Sequence, residues 1–208
     1  MKNLYVIEGT SNSGKTTTSR ILSEIPNVEI IEEFMDHPLS PKPSKDIEEE
    51  LKNQQIFLEI EKERMILASS LLKQNKIVFM ERSYLSILAV SYAFLKLGKY
   101  NGYDNALRIY KDMISQAWYV NPDITFILTA DSSEKLRRNL NRDKILQNNW
   151  VKNDFEFYQN EFYDIMRIGS RKEFIDTTGK SKAYASECIC KSLKLRRWIY
   201  EDFYDKTW

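Results

Sequence analysis

The sequence predicts an α/β domain of three layers, a five-stranded parallel sheet with helices on both faces. Three observations carry that expectation. Strand-like and helix-like patterns alternate along the whole chain, as they do where crossover helices link parallel strands. The strand-like runs are short and continuously apolar, as strands buried on both faces are. Residues 9–16 read Gly-Thr-Ser-Asn-Ser-Gly-Lys-Thr and match G-x-x-x-x-G-K-[ST], a phosphate-binding loop that joins a strand to a helix. At 208 residues the chain suits one domain with a sizeable core. Within it, about 132–153 reads as a lid region and 196–208 as an aromatic tail.

The elements follow in order. Residues 4–7 form the first strand, and 16–22 the helix after the loop, with Ile21 and Leu22 toward the sheet. Residues 28–31 are the second strand, ending at Glu32 and Glu33. Pro38, Pro41 and Pro43 mark 34–44 as a loop. A long helix is expected over about 46–74, with an apolar stripe of Ile56, Phe57, Ile60, Leu67 and Leu71. Residues 76–80 are the third strand, stopping at Glu81, Arg82 and Ser83. Residues 84–97 are helical and apolar on more than one face, hence deeply packed. Gly98 and Gly102 interrupt, and another helix covers roughly 104–119. The fourth strand, 124–128, leads to a basic helix carrying Lys135, Arg137, Arg138, Arg142 and Lys144, capped by Asp131 or Ser132. A helix at about 154–167, a short strand at 173–176 and a last helix at 181–195 complete the domain. The tail, with Trp198, Tyr200, Phe203, Tyr204 and Trp208, is expected to pack on the domain or on a second subunit.

Composition excludes several classes of function. Lys and Arg number 31 and Asp and Glu 30, so no excess of charge points to nucleic acid or an anionic membrane. No apolar run reaches the roughly 18 residues of a membrane span. The chain enters its first strand at once, which leaves no cleavable signal, and a cytoplasmic location is expected. Cys188 and Cys190 stand two apart in a helical stretch, neither a zinc spacing nor a disulfide framework. The single histidine, His37, sits in the proline-rich loop and reads as a surface residue.

Ligands of open parallel sheets bind beyond the carboxyl ends of the strands. Four charged clusters fall there: the phosphate loop, Glu32 with Glu33, Glu81 with Arg82, and the basic helix. Gly9 and Gly14 free the backbone to bend, so that N–H groups across Gly9, Thr10, Ser11, Asn12, Ser13, Gly14, Lys15, Thr16 and Thr17 can point at phosphate oxygens. Lys15 adds a charge at the β- and γ-phosphates, and the Thr16 hydroxyl is a ligand for Mg²⁺. Glu81 stands where a carboxylate holds Mg²⁺ through water. Arg82 would touch the transferring or acceptor phosphate. Arg138 and Arg142, four apart on one helix face, would close over the donor and exclude water. Glu33 would orient or deprotonate an acceptor hydroxyl.

Further motifs surround these groups. Ile7-Glu8-Gly9 opens the loop and Thr17 closes it; Phe57-Leu58 leads through Lys62-Glu63 to Arg64; Glu81-Arg82-Ser83 precedes Ser86 and Ala89. Pro122-Asp123-Ile124 leads to Arg138 and Arg142, and 155–163 precedes Phe174-Ile175-Asp176-Thr177. In this order, over about residues 4–190, the motifs resemble the thymidylate kinase and deoxynucleoside kinase superfamily. The resemblance implies the three-layer P-loop kinase fold, ATP as donor and an acceptor site that includes Phe57 and Arg64, the arginine near the base. Glu-Arg-Ser is typical of deoxynucleoside kinases, whereas Ser86 and Ala89 follow the thymidylate kinase pattern.

Three departures bear on the acceptor. Val90 and Ser91 stand where thymidylate kinases carry Tyr-Gln, whose glutamine reads thymine. No arginine lies between Arg20 and Arg64, so Lys42 or Lys45 would have to hold a monophosphate as a point charge rather than a fork. Glu33 is followed by Phe34 rather than by the proline the resemblance calls for. The expected activity is Mg²⁺- and ATP-dependent phosphoryl transfer to a nucleoside monophosphate. The alternatives are a nucleoside 5′-hydroxyl, another small molecule, or a regulatory ATP-binding switch. A homodimer through the apolar helix 84–97 and the tail is expected from those surfaces and from the family likeness.

Overall fold

The computed structural model describes residues 3–141, 153–167 and 170–195. Strands β1 (Leu4–Glu8), β2 (Val28–Ile31), β3 (Ile77–Glu81), β4 (Ile124–Thr129) and β5 (Arg171–Asp176) pair in the order β2-β3-β1-β4-β5. Every pairing is parallel. The helices are α1 (Lys15–Leu22), α2 (Ile47–Lys73), α3 (Tyr84–Lys96), α4 (Tyr103–Ile114), α5 (Ser132–Leu140), α6 (Asn153–Ile165) and α7 (Tyr184–Ser192). This is the five-stranded parallel α/β architecture that the alternation of patterns predicts.

Alternate residues of each strand feed opposite faces. Tyr5, Ile7, Phe79, Phe126 and Leu128 pack with Leu22 of α1 and Ile189 of α7. Leu4, Val6, Val78 and Met80 pack with Met65 and Ala68 of α2. A third cluster joins α3, α4 and α6. Helix α3 is buried along nearly its whole length, so the apolar surface that suggested a subunit contact is consumed inside the chain. The tail 196–208 lies outside the described residues, as does Arg142. Among the described residues no helix is long and apolar enough to cross a membrane.

Four expectations need correction. The expected stripe on α2 holds at Phe57, Ile60 and Leu71, which pack inward, but Ile56 and Leu67 are exposed, and Glu50, Gln54, Glu61 and Arg64 are buried beside Ile60, Met65 and Ala68. That face lies over charged groups at the sheet's carboxyl edge, so it is lined by hydrogen-bonding side chains. Strand β5 starts at Arg171, because it is an edge strand whose outward positions tolerate polar residues. Helix α4 stops at Ile114, since Trp118 and Tyr119 leave it to pack beneath the sheet. Helix α7 starts at Tyr184 and ends at Ser192, shorter at both ends than 181–195. The loop 34–44 opens with a short 3-10 turn, Phe34–Asp36. Asp131, rather than Ser132, caps α5, its Oδ1 accepting from the Glu134 N–H at 2.7 Å.

The sheet's carboxyl edge is organised by Glu8, the last residue of β1, which is fully buried. Its Oε1 accepts from the Ser83 N–H at 2.8 Å and the Ser83 hydroxyl at 2.7 Å. Its Oε2 accepts from Ser86 Oγ at 2.6 Å and the Tyr163 hydroxyl at 3.0 Å. Burial and then the Glu8 charge push the Tyr163 hydroxyl far above the usual tyrosine range, so it remains a donor. A carboxylate without water is tolerated because its oxygens are supplied with donors.

Glu8→Gln keeps an oxygen for Ser83 and turns an amide toward two hydroxyls that can rotate and accept. It should cost about 1 kcal/mol in urea unfolding. Glu8→Leu strands the Ser83 N–H and should cost about 3 kcal/mol or more. Equal losses in the two variants would show that Glu8 acts only through its volume.

Candidate active site

A cavity of about 680 Å³ opens along the carboxyl edge of the sheet. At one end stand Gly14, Lys15 and Thr16 of the loop between β1 and α1; Glu81, Arg82 and Glu33 follow; Phe57, Val90 and Phe94 lie at the other end.

The loop needs both of its glycines. Gly9 has φ +135°, and a Cβ there would lie 2.2 Å from the Leu128 carbonyl oxygen. Gly14 has φ +102° immediately before α1, a conformation that costs glycine little. Lys15 is buried, and its Nζ donates to the Thr10 carbonyl at 2.9 Å. Burial, reinforced by Arg82, lowers the Lys15 ammonium to about 7 against the pull of Glu33, Glu81 and Glu8. Without an anion in the loop, this lysine is close to losing its charge.

The hydroxyl of Thr16 donates to Glu81 Oε1 at 2.7 Å. These two hard oxygen donors, one from the loop and one from the end of β3, fit Mg²⁺. That ion favours oxygen and keeps several waters, so it is held by few protein ligands. Among the described residues no group of three or more His, Cys, Asp or Glu is placed to hold a metal by itself. Water and phosphate oxygens would complete the shell.

Arg82 occupies a backbone conformation unusual for a branching point without glycine, φ +62°. The strain, of order 1 kcal/mol or more, is held from three sides. Its N–H donates to the Ile7 carbonyl at 2.9 Å. Arg64 Nη2 donates to the Glu81 carbonyl at 2.8 Å and the Arg82 carbonyl at 2.9 Å. Ser83 is pinned on Glu8. The turn aims the Arg82 guanidinium at Glu33, with Nε on Glu33 Oε2 and Nη1 on Ser86 Oγ at 3.1 Å and the Gly9 carbonyl at 3.3 Å. Its Nη2 has no hydrogen-bond partner among the described residues. Burial opposes ionisation of Glu33, but Arg82 and Lys15 outweigh it and hold the carboxyl below its usual range.

Arg64, expected beside an acceptor base, does not line the cavity. Its Nη1 donates to Glu61 Oε2 at 2.7 Å, both side chains being buried, and its guanidinium lies 4.4 Å from the Phe34 ring centre. Glu61 Oε1 also accepts from the Tyr84 N–H at 3.1 Å. Arg64 therefore sits behind the Arg82 turn, while Phe57 lines the cavity with its ring edge-on to Phe34. Lys42 lines the cavity and Lys45 does not.

Arg138 reaches the loop from α5. Its Nη1 donates to the Asn12 carbonyl at 3.0 Å and Thr177 Oγ1 at 3.0 Å, Nη2 to the Thr177 carbonyl at 2.7 Å, and Nε to Glu134 Oε1 at 2.8 Å. Thr177 in turn donates to the Thr129 carbonyl at 2.8 Å, with the Ser13 carbonyl at 3.0 Å. Lys135 of the same helix is buried against Glu156 of α6 at 3.2 Å. His37 is a surface residue near Glu63, and Cys188 and Cys190 are free. Sequence patterns alone gave no role to Glu61 or Glu134; the signal for Glu8 is a charge inside an otherwise apolar strand.

A family model for thymidylate kinase matches residues 7–187. A search of curated proteins finds no match. Among solved structures, the thymidylate kinase of Candida albicans superposes with a TM-score of 0.69 at 18% identity, over 92% of this chain and 91% of that one. Deoxyadenosine kinase from M. mycoides with bound dCTP gives 0.59 at 17% identity, over 93% and 100%. Thymidylate kinase from Ehrlichia chaffeensis gives 0.58 at 21% identity, over 92% and 97%. At these identities the solved structures establish the shared fold.

With Lys15 lowered to about 7, most of it is neutral at pH 8, and a bound triphosphate would restore its charge. Nucleotide binding at pH 8 should take up close to one proton, visible as a dependence of calorimetric heat on the buffer's ionisation enthalpy. Uptake should fade toward pH 6, where the lysine is already charged, and vanish in Lys15→Met. Heats independent of buffer at pH 8 would contradict the lowered lysine.

Proposed function

The chain belongs to the thymidylate kinase family, and we propose that this nucleotide kinase transfers the γ-phosphoryl group of Mg²⁺-bound ATP to a nucleoside monophosphate. The observation that carries the proposal is one continuous cavity, with a phosphate loop at one end, Arg82 between, and an aromatic and aliphatic chamber at the other. Phosphoryl transfer asks a protein mainly for positioning and charge stabilisation. Residues 9–17 hold the donor phosphates through backbone N–H groups and Lys15. Thr16 and Glu81 would hold Mg²⁺, which would supply charge neutralisation at the phosphates. The open Nη2 of Arg82, with Lys42 at the cavity wall, receives the acceptor phosphate. Glu33 fixes the orientation of Arg82, and Arg138 locks the loop to Thr177. Arg142, the second lid arginine of the resemblance, lies outside the described residues and keeps its proposed place over the donor. Phe57 supports the base, and Arg64 acts behind Arg82 as a positioning residue.

One observation favours a second reading, transfer to a nucleoside 5′-hydroxyl. Glu33 is held ionised and its pairing with Arg82 neutralises part of the cation that a monophosphate would need. An ionised carboxylate at this point suits a hydroxyl that must lose its proton.

Turnover with Mg²⁺ and ATP against nucleosides and nucleoside monophosphates tests both. Lys15→Ala should abolish transfer to any acceptor, and retained activity in that variant contradicts the assignment of the loop. Glu33→Gln separates the two readings. For a monophosphate acceptor it should act mainly on KM, because Arg82 is reoriented. For a nucleoside it should lower kcat by about 100-fold or more.

A further inference from the structure

At the end of the cavity remote from the phosphate loop stands a carboxylate to which the roles above assign nothing. Glu50, in the first turn of α2, is 5% exposed yet lines the cavity beside Asn53, Phe57, Val90 and Phe94. Its setting is closely built. Oε1 accepts from Ser91 Oγ at 2.8 Å and Gln54 Nε2 at 3.0 Å, and Oε2 accepts from Ser44 Oγ at 2.6 Å. Because Ser44 gives its proton to Glu50, the Tyr100 hydroxyl, 2.8 Å away, is the donor to Ser44. The Gln54 amide is held the same way round by Asn105 Nδ2, which donates to its Oε1 at 2.7 Å, and by the Gly102 carbonyl, 3.0 Å from its Nε2. Gly102 lies so close that a Cβ would come within 2.8 Å of both Gln54 Nε2 and Glu50 Cγ.

A carboxylate offers about four lone-pair directions. Three are filled by donors from the protein, which leaves an acceptor on Oε2 for a donor in the cavity. The spacing suits the far edge of a nucleoside held at Arg82. Val90 lies six residues along α3 from Tyr84, which follows the Arg82–Ser83 turn, about 9 Å of helix rise, comparable with the span from a 5′ oxygen to the outer edge of a base.

We propose that Glu50 reads the base of the acceptor and selects one that carries an exocyclic amino group over thymine or uracil. This inference rests on the kinase reading above. An amino group donates an N–H to the free lone pair. Thymine and uracil flank their single N–H with two keto oxygens, whose lone pairs would face a buried carboxylate. A site built around a polar contact rejects the analogue that cannot make it far more strongly than an apolar pocket does.

The test is steady-state turnover of the wild-type chain with Mg²⁺ and ATP on acceptor pairs that differ only at that group. Deoxycytidine is set against deoxyuridine and deoxyadenosine against deoxyinosine, each as nucleoside and as monophosphate. The amino member should be favoured in kcat/KM by about 100-fold or more. In Glu50→Gln that ratio should fall below about tenfold, chiefly through KM of the amino member, while retained ATP binding reports a folded protein. Ser91→Ala, which loosens Glu50 without removing it, should narrow the ratio in the same direction. A keto member used as well as its amino partner overturns the assignment, and so does a ratio that survives Glu50→Gln. Failure to turn over any nucleoside or nucleotide overturns the kinase reading and this assignment with it. Turnover without amino preference overturns this assignment alone.

Discussion

A carboxylate that water does not reach ends the central strand, and the carboxyl edge of the sheet is arranged around it. Glu8 draws Ser83 of the β3–α3 connection, Ser86 of α3 and Tyr163 of α6 onto its two oxygens. Leaving such a carboxylate unpaired would cost several kcal/mol, of the order of a domain's whole net stability. The chain between β3 and α3 is therefore not free to relax. That fixed path forces Arg82 into its positive-φ conformation, and the same path sends its guanidinium across the phosphate loop. Arg64 completes the arrangement from behind by donating to the carbonyls on either side of the strained residue.

Four cations at or behind the cavity have carboxylate partners. Arg82 faces Glu33, Arg138 faces Glu134, Arg64 faces Glu61 and Lys135 faces Glu156. Lys15 differs, since its ammonium donates to a carbonyl and burial prevails over the more distant carboxylates. In the proposed function, the donor phosphates would supply a countercharge to this lysine. A loop with its donors already aimed would leave little reorganisation for the proposed reaction.

Much of this was legible in the sequence where local pattern and tertiary demand coincide. The loop 9–16, the buried strands and the apolar helix α3 announce themselves because their residues meet one requirement, a tight turn or burial on every side. The polar positions were harder. Periodicity counts apolar residues, so Ile56 and Leu67 were counted with Phe57, Ile60 and Leu71, although only the latter three pack inward. The rest of α2's inner face is written in Glu50, Gln54, Glu61 and Arg64, residues that look solvated until a partner distant in sequence is known. Lys135 shows the same limit, because only α6 supplies the Glu156 that buries it. Edge strand β5 was read short, since Arg171 and Lys172 pair with β4 without needing apolar side chains. Arg64 was readable as important from the resemblance, but its direction was not.

Helix α2 joins the two ends of the site. Positions 50, 54, 57, 61, 64 and 68 follow one another by four and three residues, the spacing that keeps side chains on one face. Along that face the chain places a carboxylate, an amide, an aromatic ring, a second carboxylate, a guanidinium and a methyl group. The chemistry changes with what lies opposite. Ala68 and Met65 meet the apolar sheet, Arg64 and Glu61 meet the turn that aims Arg82, Phe57 meets the cavity and Phe34, and Glu50 meets Ser91 of α3. From Glu50 to Arg64 the stripe spans about 21 Å of helix rise. A rigid helix of that length fixes the distance between the phosphate end and the far chamber. Changes at Glu50 can thus alter what the chamber accepts while Arg64, four turns away and packed against different partners, continues to hold Arg82 in place.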